Sequence, residues 1–248
     1  MKRQKIRKLL LIVALLVFPV IMWYLSPAII IMGASNGIVT GSFIVFMLML
    51  FGAMFFGRLF CGYICPAGGL QECIMMANNK PSKQGARNSI KYVIWVVWFT
   101  TVIACFILSK CIITVNPFYL TDHGISISHI YDYVIYYGVI GLIFIPAIIH
   151  GKRAFCHYFC WMAPFMVIGE KVGSVLHIPH IYIKLNKSKC ISCKQCNKSC
   201  PMSLDVAGMV ADEKHNSSEC IQCGECIDSC LKKALCYGFG REESNCGK

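Results

Sequence analysis

The sequence predicts a membrane α-helical protein, with four transmembrane helices arranged as a tandem two-helix repeat, followed by a small α+β domain built around cysteine. Three observations carry this. Hydrophobic residues make up 56% of the chain and charged residues 15%, and mean hydropathy is +0.60, outside the range of ordinary soluble domains. Four apolar runs are long enough to span a bilayer and contain no charge. Eight of the 17 cysteines fall between Cys190 and Cys230, in two copies of one spacing. The expected division is a membrane domain over 1–180 and a cysteine-rich domain over 181–248.

Met1 to Lys8 carries five Lys or Arg residues, and Leu9 to Leu25 is the first apolar run. At 1.5 Å per residue it covers roughly 26 Å, close to the hydrocarbon thickness. A cleaved signal peptide, with Met32, Gly33 and Ala34 as its processing site, is the competing reading; Pro19 and the length of the run argue against it. Pro27 to Gly37 is short and uncharged and is expected to be an outer loop. The remaining spans are expected at Ile38 to Phe56, Tyr92 to Leu108 and Tyr133 to Ile149.

Cations set the orientation. Arg58 to Lys91 holds five Lys or Arg and Gly151 to Lys189 holds six, whereas Pro27 to Gly37 and Cys111 to Asp132 hold none. Lys110 is the one exception. The positive-inside rule then places both termini, and every cysteine motif, on the cytoplasmic side of the inner membrane. This distribution also explains the net charge of +12, and no aromatic-studded basic patch points to nucleic acid.

Two cysteine pairs follow the second and fourth spans. Arg58, Phe60, Cys61 and Cys65 form R-x-F-C-x3-C, and Arg153, Phe155, Cys156 and Cys160 repeat it at the same place in a two-helix unit. A pseudo-twofold axis along the membrane normal would bring the pairs face to face. Residues i and i+4 share one side of a helical turn, so each pair is expected to present two sulfurs to that axis. Four convergent thiols make a possible third metal site, for an iron-sulfur cluster or a copper ion. Small buried thiols or a redox-active dithiol are the plainer alternatives. For Cys73, Cys105, Cys111, Cys236 and Cys246 the expectation is buried packing or chance.

The C-terminal cysteines both read C-x2-C-x2-C-x3-C. Such a run supplies three thiolates to a 4Fe-4S cubane and exchanges its fourth in two-cluster bacterial ferredoxins. One cluster is therefore assigned to Cys190, Cys193, Cys196 and Cys230, and the other to Cys220, Cys223, Cys226 and Cys200. Zinc sites favour two separated C-x2-C pairs, and a disulfide framework does not suit a cytoplasmic domain. Leu231 stands where the bacterial pattern has proline.

The arrangement resembles the membrane polyferredoxins of the NapH, NosR and CcoG type and is closest in layout to NapH. The residues that carry the likeness are Phe60 to Pro66, the pair Cys156 and Cys160, and the eight cysteines from Cys190 to Cys230. Trp161 departs from it, where the second pair should be followed by proline. The resemblance implies electron passage between a cytoplasmic or quinol pool and a partner protein, sometimes a flavoprotein on the outer side. The expected function is a membrane-bound iron-sulfur relay of single electrons. A subunit of a larger membrane oxidoreductase complex fits better than a stand-alone enzyme, and no catalytic residue is assigned. The competing readings are a cupric reductase or metal-centre assembly factor using Cys61, Cys65, Cys156 and Cys160, an electron-driven ion pump, and a structural zinc protein. The absence of Asp, Glu, Lys and Arg inside the four spans counts against the pump.

Overall fold

The computed structural model describes residues 2–109, 114–213 and 217–240; Lys110, Cys111 and Cys246 lie outside the described residues. Helix α1 is Lys2–Ile21, and the turn beyond Pro19 tightens to 3-10 geometry at Met22–Leu25. The expected outer loop after it is a helix instead, α2 at Pro27–Ser35. Proline at its first position needs no hydrogen-bond partner, and a helix satisfies its own backbone groups in apolar surroundings where a loop would not. Ile29, Ile30, Gly33 and Ala34 are buried, and α2 packs on α6, Ile90–Leu108.

The helix expected as the second span begins at Gly41 rather than Ile38, and at 16 residues it is shorter than the three described helices long enough to cross a membrane. Ile38–Thr40 forms strand β1, paired in parallel with β2, Thr114–Asn116. Thr40 then caps α3, Gly41–Phe56, its hydroxyl accepting from the Phe43 N–H at 3.3 Å. Two short helices follow, α4 at Leu59–Tyr63 and α5 at Pro66–Ile74. The second half mirrors this order after α6: α7 at Ile130–His150, α8 at Ala154–Tyr158 and α9 at Ala163–Val175. Lys2–Ser35, Arg87–Leu108 and Ile130–His150 are long and apolar enough to cross a membrane, and Gly41–Phe56 is a shorter apolar helix. Val93, Val97, Val134 and Ile145 on these helices are exposed, apolar surface that suits a lipid or protein contact.

Helix α3 packs on α9 and α5 packs on α7. The first contact is close because glycine recurs one turn apart in α9: a Cβ at Gly169 would fall 2.2 Å from the Leu50 carbonyl oxygen, and one at Gly173 would fall 2.7 Å from that of Met54. Small residues four apart let helix backbones approach in this way. Helix α1 packs on α5 with Gly69 against the Leu11 carbonyl.

The C-terminal domain is an antiparallel pair, β3 at His180–Leu185 and β4 at Leu235–Gly240, with Leu185 opposite Leu235. Between the strands lie α10 at Gln195–Ser199, α11 at Val206–Ala211 and α12 at Glu225–Asp228. Buried ion pairs join this domain to the helices. Glu72 on α5 accepts from Arg7 at 2.5 and 2.9 Å and from Arg153 at 2.5 Å, and Arg7 also reaches Glu225 at 2.9 Å. Glu219 accepts from Arg58 at 3.1 Å and from Lys91. Arg3 and Gln4 hold Asp228 at 2.7 and 2.6 Å.

Two outcomes follow from this packing. Gly169→Ala must separate α9 from α3 and is expected to cost about 1–3 kcal/mol, read as a lower thermal midpoint in detergent. Gly138→Ala, at a position on α7 with nothing within 4 Å, should leave the midpoint unchanged. At Glu72 burial pushes the carboxyl up, but Arg153 and Arg7 outweigh it and hold the carboxyl below its ordinary value. A depressed value in the fold contributes stability above the unfolded carboxylate pKa, about 4.3, which is lost as pH falls through the lower folded value. The packing of α1 and the Arg153 loop on α5 should therefore loosen below about pH 4, and with it the Arg7–Glu225 tie to the C-terminal domain. Glu72→Gln, which leaves Arg153 buried without a carboxylate partner while Arg7 keeps Glu225, should cost about 3 kcal/mol at neutral pH. Protease sensitivity of the C-terminal domain checks both.

Candidate metal centres

The two C-x3-C motifs fold alike. Each long helix stops at a glycine in the left-handed region, Gly57 with φ of 54° and Gly151 with φ of 91°, where glycine carries no Cβ penalty. One short turn follows, then a break. The Phe60 carbonyl accepts from the N–H groups of Ile64 at 2.9 Å and Cys65 at 3.0 Å, and the Phe155 carbonyl accepts from those of Phe159 and Cys160, both at 3.0 Å. The sequence expectation of one helical face for each pair is corrected by this break. Cys61 and Cys156 lie on α4 and α8, while Cys65 and Cys160 lie just past their ends. An added i+5 bond closes the turn so that the following helix can leave in a new direction.

All four thiols are buried within one apolar cluster. The Gln71 side-chain amide donates to the Cys156 sulfur at 3.1 Å and accepts from the Phe155 N–H at 3.1 Å, and Met166 sulfur lies 3.8 Å from Cys61 sulfur. Burial pushes the Cys61, Cys65 and Cys160 thiols up, Cys160 to about 12, and Arg58 pulls Cys61 and Cys160 back. Arg58 and Arg153 are both fully buried. Arg153 donates to the Cys61 carbonyl at 2.7 Å, whereas Arg58 Nε and Nη2 and Arg153 Nε make no hydrogen bond among the described residues. Unpaired guanidinium N–H groups beside four thiols suit an anionic occupant.

In the C-terminal domain, Cys190, Cys193, Cys196 and Cys230 line one small cavity of about 30 Å³, and Cys200, Cys220, Cys223 and Cys226 line another of about 30 Å³. The two loops share an unusual backbone. Ser192 and Lys194 in the first, and Gln222 and Gly224 in the second, have φ of 53°, 55°, 54° and 71°. Left-handed residues alternating with right-handed ones turn successive N–H groups inward, a concavity that receives anions and iron-sulfur clusters. Three of these are not glycine, so the conformation is held at a cost. Among the described residues, no three His, Cys, Asp or Glu side chains converge as ligands of a metal ion do. A cubane carries its thiolates at the corners of a four-iron core, wider apart than the ligands of one ion.

The second loop abuts the helices. A Cβ at Gly62 would fall 2.3 Å from the Ile221 carbonyl oxygen, with the Cys223 α-carbon at 3.7 Å, so only glycine permits the contact. Gln222 is fully buried there, its side-chain amide without a hydrogen-bond partner among the described residues. Next to the thiol loops lies a cavity of about 740 Å³. Its walls include Pro66, Phe155 and Trp161, immediate chain neighbours of Cys65, Cys156 and Cys160, and its far end includes His129 and Asp132.

Sequence reasoning missed Gln71, Glu72, Glu219 and Met166 as parts of this region. A Gln-Glu pair inside an apolar stretch was the available signal. Cys73 and Cys105 are free and only partly buried, and Cys236 is disulfide-bonded, which corrects the expectation of packing or chance for it.

A family model described as a 4Fe-4S binding domain matches the chain twice, at residues 38–84 and 131–179, and one described as a 4Fe-4S dicluster domain matches residues 182–231. Two uncharacterized proteins of Methanocaldococcus jannaschii, MJ0750 and MJ0749, are each 28% identical over 162 and 158 residues. These alignments cover 60% of this chain in both cases, and 61% and 54% of the relatives, so the chain spans somewhat over half the length of the curated proteins it matches. No solved structure matches it. With 4Fe-4S domains matched over both C-x3-C segments and over the C-terminal cysteines, the chain is an iron-sulfur protein, consistent with iron-sulfur electron transfer.

Proposed function

We propose that this protein is a membrane-bound relay that passes single electrons through three 4Fe-4S clusters, between a carrier pool and a partner redox protein. Two clusters would be held by the exchanged sets, Cys190, Cys193, Cys196 and Cys230, and Cys220, Cys223, Cys226 and Cys200. The third would be held jointly by Cys61, Cys65, Cys156 and Cys160, a count one higher than the two clusters expected outright from the sequence. These clusters supply one-electron redox chemistry when bound. The observation that carries the reading is the contact at Gly62, where the loop of one C-terminal set meets the loop of the membrane set without a side chain between them.

The chain's own residues bring the groups together and compensate their charge. Arg58 and Arg153 lower the cost of burying anionic sulfur, and inward N–H groups do the same at the two C-terminal loops. The reciprocal packing of α3 on α9 and α5 on α7 supports the tandem repeat, and the cation distribution supports termini on the cytoplasmic side. The cavity beside Trp161 supports the quinol pool as one terminus, because its volume and apolar walls suit a small carrier. Membership of a larger complex remains part of the proposal. One observation favours the second reading, a copper-reducing or copper-delivering site: Met166 adds a soft sulfur 3.8 Å from Cys61.

Iron and acid-labile sulfide on anaerobically purified protein test this directly. The relay predicts about twelve irons per chain, falling to about eight when Cys61, Cys65, Cys156 and Cys160 are all changed to Ser. About eight in both, with one copper lost in the variant, supports the second reading. Zinc without iron overturns both. For the cavity, Trp161→Ala should slow reduction by added quinol at least tenfold in lipid nanodiscs while dithionite reduction is unchanged; equal quinol rates would remove the quinol terminus.

A further inference from the structure

We propose that the mouth of the first four-cysteine pocket is the docking face for a small acidic one-electron carrier protein. This rests on the relay reading and names its partner at the C-terminal end. Of the eight motif cysteines, Cys193 is the exposed one, so the first set has the shortest path to solvent. The second set is turned toward the helices at Gly62.

Charge is segregated around that path. Lys194 and Lys232 line the pocket, and Lys187, Lys189 and Lys233, within three residues of its cysteines in the chain, are exposed as well. Acids of the same domain are drawn the other way: Glu219 is bound by Arg58 and Lys91, Glu225 by Arg7, and Asp228 by Arg3. The other exposed acids described in this domain are Asp205, engaged by Asn197 and by the Gly208 N–H, and Asp212 and Glu213 just past α11. The ion pairs that dock the domain therefore leave a basic outer face. Such a field favours encounter with an acidic partner and raises its association rate by tenfold or more at low salt.

Two apolar side chains stand among the lysines. Ile191 is 58% exposed and Leu231 is 81% exposed, and both line the pocket mouth. Leu231 occupies the position where the two-cluster pattern has proline. An apolar centre within a charged rim is the anatomy of a protein interface, whereas a merely solvated charged face needs no such centre. Anionic lipid would also answer the lysines, but it is the second set whose loop meets the helices at Gly62 while Cys193 of the first is exposed, which favours a protein.

The test uses the full chain in nanodiscs of neutral phosphatidylcholine and an oxidised flavodoxin as the acidic carrier. Binding is expected to weaken steeply with added salt, and the triple change Lys187→Glu, Lys189→Glu and Lys233→Glu should raise Kd at least tenfold at low ionic strength. Dithionite should bleach the visible absorption of wild type and variant equally, which shows an intact protein. Equal affinity in the two proteins, or binding indifferent to salt, overturns the proposal. So does a variant that loses only its binding to phosphatidylglycerol vesicles, which would make the face a lipid contact. Failure of the relay reading is seen separately in the same samples, as absence of iron-sulfur absorption whatever the affinity.

Discussion

A charge taken out of water must meet an opposite charge or a full set of hydrogen bonds, and the junction between the helices and the C-terminal domain is built on that requirement. Arg7, Arg58, Lys91 and Arg153 are almost wholly removed from solvent there. Glu72 and Glu219 meet them, one from each side of the junction. Neither acid neutralises its partners completely, since each is shared by two cations. The surplus positive charge lies beside the thiols of Cys61, Cys156 and Cys160. One network thus both docks the domain and prepares an electropositive wall for sulfur ligands, so the docking and the chemistry are hard to alter separately.

The backbone follows from the same need. A helix that ended gradually would scatter the arginine and the cysteines over several turns. Gly57 and Gly151 end α3 and α7 abruptly, and the one-turn helices behind them place arginine, phenylalanine and the two thiols within one tight loop. Phenylalanine carbonyls anchor both loops, and one loop is met by Gln71 and the other by the Ile221 segment.

Much of this was legible in the chain. Cysteine spacing is short-range information, and the two runs group four and four around two pockets with the exchanged partners that such spacing implies. The apolar runs appear as helices because length and composition alone govern them. What failed was anything decided by three-dimensional context. Pro27 to Gly37 looks like a loop because its length falls short of a span, yet Ile29, Ile30, Gly33 and Ala34 pack as one buried face of a helix. The start at Ile38 was misplaced because apolar β-branched residues serve a strand as well as a helix, and the partner strand lies more than seventy residues away. Glu72 was passed over because no local pattern pairs it with Arg7 and Arg153. Trp161, read only as a departure from a motif, is a wall between a thiol loop and a large cavity.

The reciprocal contacts, α3 on α9 and α5 on α7, have a corollary for symmetry. In each contact the opening helix of one unit meets the closing helix of the other, so neither unit buries its own apolar face. Identical chains paired in this way would be bound by symmetry, whereas two halves of one chain are not. The halves matched twice by one family model use that freedom: proline follows Cys65 where tryptophan follows Cys160, and Lys152 is an extra residue between Gly151 and Arg153.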